Sequence, residues 1–90
     1  MDVKLVLVKK DGTTKPLTLP SAVTVIGRRY GCDLQIPLRS VSRRHCQLNL
    51  DEGVLKVRDL DSRNGTLLNG RTVEKTATVE AGDCLKIGPC

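Results

Sequence analysis

Apolar and polar residues alternate along short segments of this chain, and residues typical of turns separate the segments. The alternation is clearest at Cys46, Leu48 and Leu50, and again at Leu55 and Val57. A period of two is typical of a strand that turns one face to the core and the other to solvent. Both segments therefore predict half-buried strands.

The other predicted strands are short runs of β-branched residues and leucine, and no segment keeps a helical period. Asp-Gly at 11–12 and Asn-Gly at 64–65 and 69–70 are typical of hairpin turns. The predicted strands cover residues 3–8, 17–19, 23–26, 34–36, 46–50, 54–59, 72–73, 76–79 and 84–87. Many short strands between frequent turns predict an all-β fold, an antiparallel β-sandwich.

Composition limits the size of the fold to one small domain and argues against single-stranded nucleic acid as a partner. The 90 residues are 39% hydrophobic and 28% charged, which predicts one small globular domain over residues 1–90. The chain has no Trp, no Phe and one Tyr, Tyr30, so the core must consist of Val, Leu, Ile and Cys. Proteins that bind single-stranded nucleic acid usually stack bases on aromatic rings, which this chain almost lacks.

Positive charge is concentrated in one segment of the chain. The formal net charge is +5, and residues 28–44 contain five arginines and one aspartate, a balance of +4. Such a cluster predicts an anionic partner. The arginines are Arg28, Arg29, Arg39, Arg43 and Arg44.

The four cysteines (Cys32, Cys46, Cys84 and Cys90) have no spacing of a zinc site, and we expect no metal and no cofactor. No apolar run approaches the length of a membrane span, and the apolar stretch near the start is too short for a signal peptide. We therefore expect reduced cysteines and a cytoplasmic protein, with no membrane partner. Two disulfides in a secreted protein are the alternative.

Three polar loops, at residues 27–31, 39–45 and 62–70, contain hydrogen-bond donors. Loops at one end of a sandwich commonly carry function. Arg28 offers a planar fork of donors, and Ser42 offers a hydroxyl. We therefore expect a donor-only pocket for a dianion at one end of the sandwich.

In order and spacing, four short elements resemble the signature of the forkhead-associated (FHA) domain across residues 23–88. They are Gly27-Arg28, Ser42-Arg43-Arg44-His45, Asn64-Gly65-Thr66 and Asn69-Gly70. The resemblance implies an eleven-stranded β-sandwich that binds phosphothreonine peptides. With the pattern above, we expect about ten to eleven short strands with the binding loops at one end.

The resemblance also implies the residues that contact the phosphopeptide. Arg28 and Ser42 would bind the phosphate, Arg43 would assist beside them, and Asn64 would hold the peptide main chain. Arg63 replaces the small hydroxyl residue that many members carry at its position. It would contact the phosphate or an acidic residue, or point to solvent.

Four further residues would shape the binding loops without touching the ligand. In this pattern His45 ties the loops together, and Gly27, Gly65 and Asn69 determine the course of the loops. The sequence ends soon after the strand predicted at 84–87, whereas the family has a closing strand there. We therefore expect a truncated last strand and a domain excised from a longer protein.

The sequence also has features of three other functions: an enzyme, a nucleic-acid-binding domain and an oligomerisation module. Ser42 and His45 with Asp59 or Asp61 would form a catalytic triad, but no nucleophile elbow is present, and we expect no enzyme. The net charge of +5 makes a small nucleic-acid-binding β-domain the alternative function, but because aromatic residues are almost absent we expect no nucleic-acid partner. An exposed edge strand would instead favour an oligomerisation module, so a monomer and an edge-mediated oligomer are both expected possibilities.

Overall fold

The computed structural model describes residues 5–8 and 12–88, and these residues form ten strands and no helix. In chain order the strands are β1 (Leu5–Val8), β2 (Thr14–Leu17), β3 (Val23–Gly27), β4 (Leu34–Gln35), β5 (Cys46–Asp51), β6 (Val54–Asp59), β7 (Thr66–Leu68), β8 (Arg71–Thr72), β9 (Thr76–Val79) and β10 (Leu85–Ile87). The expected all-β sandwich of short strands is confirmed.

The largest sheet has five strands in the order β4-β3-β5-β6-β9. All of its pairs are antiparallel except β3 with β4, which run parallel. The Asp33 carboxylate accepts a hydrogen bond from the Val25 N–H at 2.9 Å, and the Ile36 N–H donates to the Gly27 carbonyl at 2.8 Å. The antiparallel sandwich expected from the sequence therefore includes one parallel pair, β3 with β4, in its largest sheet.

The second sheet has the order β10-β7-β8, and the sequence pattern missed β7. Asn69 and Gly70 both have positive φ, 52° and 82°, and form the two-residue turn between β7 and β8 as predicted. Residues 64–65 do not form a hairpin, because the strands on either side, β6 and β7, belong to different sheets. The hairpin prediction is therefore wrong at that dipeptide.

A third, two-stranded sheet pairs β1 with β2, with Val8 opposite Thr14. The strand predicted at 17–19 therefore begins and ends earlier than expected, because pairing with β1 sets its position. Residues 3–4 and 11 of the predicted first strand and turn lie outside the described residues, as do residues 89–90.

The core is aliphatic, as the composition predicts, and includes residues from the five-stranded sheet and from β10. Leu68 and Leu85 of the three-stranded sheet pack against it as partly buried residues. The largest fully buried side chain is polar: it is the imidazole of His45. The buried apolar residues are Ile26, Ile36, Val41, Cys46, Leu48, Leu55, Val57, Val73 and Ile87.

In the described part of the chain, no helix is long and apolar enough to cross a membrane. The same residues contain no group of three His, Cys, Asp or Glu side chains that could hold a metal ion.

The cysteines differ in accessibility, and this generates a prediction. Burial raises the pKa of the Cys46 thiol to about 12, and the Asp59 carboxylate acts in the same direction. Cys84 is exposed. Because the thiolate is the reactive form, a maleimide should label Cys84 in the folded protein and Cys46 only after unfolding. Peptide mapping by mass spectrometry checks this, and equal native labelling of both would contradict the packing.

Candidate functional site

Three loops meet at one end of the sandwich: a first loop (residues 28–33), a second loop (37–45) and a third loop (60–65). Main-chain hydrogen bonds join them. The Arg28 N–H donates to the Ser42 carbonyl at 2.9 Å, and the Arg29 N–H donates to the Arg43 carbonyl at 3.1 Å. The Leu60 N–H, at the start of the third loop, donates to the His45 carbonyl at 3.0 Å. The second loop therefore lies between the other two and is bonded to both.

Gly27 permits the close approach of the first and second loops. A Cβ atom at Gly27 would overlap the Arg43 carbonyl oxygen and lie 3.0 Å from the Cα of Arg44. The glycine is required here by space, since its φ does not lie in the left-handed region. This contact places the next residue, Arg28, against the second loop.

Arg28 is held in place through one part of its guanidinium group. Its Nε–H donates to the Val41 carbonyl at 3.1 Å, and its own carbonyl accepts a hydrogen bond from Gln35 Nε2 at 3.2 Å. The two terminal amino groups make no hydrogen bond within the described residues. Arg28 therefore presents a charged fork of donors in a fixed position.

The Ser42 hydroxyl has one remaining donor. Its oxygen accepts a hydrogen bond from the Arg63 N–H at 2.9 Å, so the third loop fixes the position of this oxygen. A hydroxyl both donates and accepts, and its proton is left for a further acceptor. Ser42 is thus suited to bind an anion beside Arg28.

His45 bridges the second and third loops through both ring nitrogens. Nδ1 accepts a hydrogen bond from the Ser42 N–H at 3.0 Å, and Nε2 lies 2.8 Å from the Gly65 carbonyl oxygen. Because an N–H donates to Nδ1 and a carbonyl accepts from Nε2, these partners assign the neutral Nε2–H tautomer. Neither nitrogen is directed at the Ser42 hydroxyl, so the triad geometry is absent.

The side-chain amide of Asn64 makes one hydrogen bond within the protein. Its Nδ2 donates to the Ser40 carbonyl at 2.9 Å, which ties the third loop to the second. The carbonyl oxygen of its side chain and one N–H remain for a ligand. Gly65 follows with φ 82°, a conformation that brings its carbonyl to the His45 ring without steric cost.

Asp59 organises the start of the third loop. Its carboxylate accepts hydrogen bonds from the Ser62 N–H and hydroxyl and from the Thr66 hydroxyl. Burial alone would raise the pKa of Asp59, but the bonds from Ser62 and Thr66 outweigh this and lower the pKa below its ordinary value. Asp59 therefore fastens the third loop to both β6 and β7.

The loops enclose a depression of about 300 Å³. Its lining contains five arginines and no acidic residue, and the hydroxyl of Ser42 and the amide of Asn64 complete the set of donors. Such a lining fits an anion. The lining residues are Arg28, Arg39, Ser40, Val41, Ser42, Arg43, Arg44, Arg63 and Asn64.

All five residues predicted to contact the phosphopeptide line this depression, whereas Asn69 does not. Asn69 Nδ2 donates to the Asp83 carboxylate at 2.9 Å, and its side-chain oxygen accepts from the Cys84 N–H at 2.9 Å. Hydrogen bonds from the Glu80 N–H and from Asn69 lower the pKa of Asp83. Asn69 thus shapes the β7–β8 turn, at a distance from the anion-binding loops.

Sequence reasoning missed the groups that position the donors. The carbonyls of Ser40 and Val41 hold Asn64 and Arg28, and a main-chain carbonyl has no signature in the sequence. The role of Asp59 did have a signature in the sequence. An aspartate whose carboxylate bonds to a main-chain N–H a few residues ahead is typical of turns.

The match with known proteins agrees with this geometry. The FHA domain family matches residues 24–88, which is most of the chain. The chain belongs to this family. FHA domains are non-catalytic binding modules.

The relatives include proteins from mammals and bacteria. The mouse proliferation marker protein Ki-67 is 35% identical over 86 residues, which are 92% of this chain. The FHA domain of FhaA, a protein of Mycobacterium tuberculosis, has been solved with the intracellular domain of a second protein. It superposes with a TM-score of 0.78 and 32% identity over 88% of this chain and 86% of that one.

A third relative is EmbR of Mycobacterium tuberculosis, solved in complex with a low-affinity phosphopeptide. It gives a TM-score of 0.81 and 27% identity, and the match covers 96% of this chain and 22% of the EmbR chain. The chain spans only 3% of the length of mouse Ki-67 and 15% of FhaA.

The close contact at Gly27 predicts that alanine at Gly27 destabilises the fold much more than alanine at Gly31. Gly27→Ala should lower the free energy of unfolding by about 1–3 kcal/mol, because its Cβ overlaps the Arg43 carbonyl. Gly31→Ala is the matched control: nothing lies near a Cβ there, and its effect should stay within about 0.5 kcal/mol. Urea unfolding measures both, and equal effects would contradict the close approach.

The lowered pKa of Asp59 predicts a dependence of stability on pH. Because the folded-state pKa lies below the unfolded one, this stabilisation is complete above about pH 4 and is lost as pH falls through the folded value. Asp59→Asn should cost about 1–3 kcal/mol at neutral pH through its lost charged hydrogen bonds. Urea unfolding at a series of pH values should show the two proteins converging in acid, and a constant difference would refute this role of Asp59.

Proposed function

We propose that this FHA domain binds phosphothreonine in partner proteins and so connects them to kinase signalling. The observation that carries the proposal is the basic depression lined by Arg28, Ser42 and Asn64, among others, and by no acidic residue. The domain itself acts by binding and performs no chemistry on the ligand.

The depression matches the chemistry of a phosphate group. A phosphothreonine carries about −1.5 to −2 charges at neutral pH and three acceptor oxygens. The terminal amino groups of Arg28 and the hydroxyl proton of Ser42 are the fixed donors for these oxygens. Arg43 lines the same depression and supplies a further positive charge. Each charge-assisted hydrogen bond contributes about 1.5–3 kcal/mol.

Asn64 extends the contact from the phosphate to the peptide. One N–H of its side chain is already used on the Ser40 carbonyl, which fixes the orientation of the amide. Its oxygen is then positioned to accept a hydrogen bond from a peptide N–H. Arg63, exposed on the same loop, contacts the phosphate or an acidic side chain of the peptide.

The relatives support a phosphopeptide ligand. EmbR has been solved with a phosphopeptide, and the FhaA domain with the intracellular domain of another protein. The nucleic-acid alternative has only the net charge in its favour, because none of the residues lining the depression is aromatic. The partner in our proposal is therefore a phosphothreonine-containing protein.

The localisation, the parent protein and the oligomeric state of the domain are also proposals. We place the domain in the cytoplasm with reduced cysteines, because Cys46 is buried in the core as a small apolar residue. We also propose that the 90 residues are one domain of a longer protein, since relatives carry the match within much longer chains. The domain acts as a monomer or associates through a sheet edge.

Fluorescence anisotropy with labelled peptides tests the proposed function. A phosphothreonine peptide should bind, and its unphosphorylated twin should bind at least tenfold more weakly, because the dianion supplies the charged contacts. Arg28→Ala and Ser42→Ala should each weaken binding at least fivefold.

Arg58→Ala is the matched control, since Arg58 is exposed on β6 and does not line the depression. Its affinity should stay within twofold of the unmodified protein, which separates a local contact from the loss of one charge. Equal binding of the phosphorylated and unphosphorylated peptides would refute the proposal.

A further inference from the structure

A second basic depression of about 400 Å³ lies beside the first. Its lining consists of Arg28, Arg29 and Arg43. Two of these, Arg28 and Arg43, also line the first depression, so the same pair of side chains borders both. Arg29 belongs to the second depression alone.

The main chain beneath the second depression is fixed by hydrogen bonds. The Arg43 carbonyl accepts from the Arg29 N–H at 3.1 Å and from the Cys32 thiol at 3.2 Å. The Cys32 N–H in turn donates to the Arg29 carbonyl at 3.1 Å. The main chain at Arg29 and Arg43 is therefore held in one arrangement, so no loop has to be ordered when a ligand binds their side chains.

The positive charge around the two depressions exceeds what one phosphate can balance. Six arginines line them together, and no described residue pairs the guanidinium of Arg29 or Arg43 with a carboxylate. The one acidic residue of the segment, Asp33, instead accepts a hydrogen bond from the Val25 N–H. A phosphothreonine neutralises at most about two charges.

We propose that the preferred ligand carries a second anionic group a few residues from the phosphothreonine, and that Arg29 binds it in the second depression. This inference rests on the proposed function of the first depression. The shared chemistry is an oxyanion that accepts the planar fork of an arginine, from either a second phosphoryl group or a carboxylate. The phosphoryl group binds more tightly, because it carries more charge and more acceptor oxygens.

Peptides of one neutral sequence test the inference. One carries phosphothreonine alone; a series adds a phosphoserine at each of one to four residues before or after it, and a parallel series adds glutamate. The doubly phosphorylated peptide should bind at least fivefold more tightly than the singly phosphorylated one at a preferred position, and the glutamate peptide should gain less. An equal gain from glutamate would identify a carboxylate site.

Arg29→Ala should remove most of this gain and leave the affinity for the singly phosphorylated peptide within twofold. The variant retains the main-chain bonds of Arg29, so the loop keeps its support. Arg58→Ala, which removes the same charge from β6, should keep the full gain.

The outcomes separate the two proposals. If no phosphorylated peptide binds more tightly than the unphosphorylated one, both proposals fail. If the singly phosphorylated peptide binds but a second anionic group raises the affinity at no position, the second site is refuted and the proposed function stands. The same holds if the gain in affinity survives Arg29→Ala. If the added phosphoserine raises the affinity equally at every position, and Arg29→Ala and Arg58→Ala reduce that gain equally, the effect comes from net charge. This result would also refute the second site. An oligonucleotide that outcompetes the doubly phosphorylated peptide through Arg29 would assign the depression to nucleic acid.

Discussion

The arrangement of the binding loops depends on the imidazole ring of His45, which is fully buried between them. One ring nitrogen accepts from the Ser42 N–H and the other donates to the Gly65 carbonyl. A buried polar group is tolerated only when its hydrogen bonds are made, so the ring and both loops stabilise one another. Loss of the Ser42 N–H or the Gly65 carbonyl from its place beside the ring would leave a buried ring nitrogen without its partner. The bridge therefore fixes the two loops that supply most of the donors of the depression.

The donors themselves are positioned mainly by main-chain carbonyls. Val41 orients Arg28, and Ser40 orients Asn64, so each side chain uses one N–H on the protein and offers the rest to a ligand. Ser42 follows the same principle, because its oxygen accepts from the Arg63 N–H and its proton remains free to donate. A site built in this way is formed before the ligand arrives, which lowers the entropic cost of binding.

Much of this arrangement follows from the sequence, and what does not has physical causes. Alternation predicts β5 and β6 well, because each has one buried and one exposed face. It misses β7, whose three residues are Thr, Leu and Leu between two Asn-Gly dipeptides. The Asp33 carboxylate bonds to β3 beside the parallel β3–β4 pair, and Asn69 lies away from the anion site although it is close to Asn64 in sequence. Such contacts arise between distant parts of the chain and leave no local pattern.

Long-range ¹H–¹⁵N NMR of the His45 ring, recorded with and without a phosphothreonine peptide, tests the central claim most directly. We expect the neutral Nε2–H tautomer in the free protein and the same tautomer after the peptide binds, because the ring holds a preformed site. A ring protonated at Nδ1, or one that changes tautomer when the peptide binds, would contradict it.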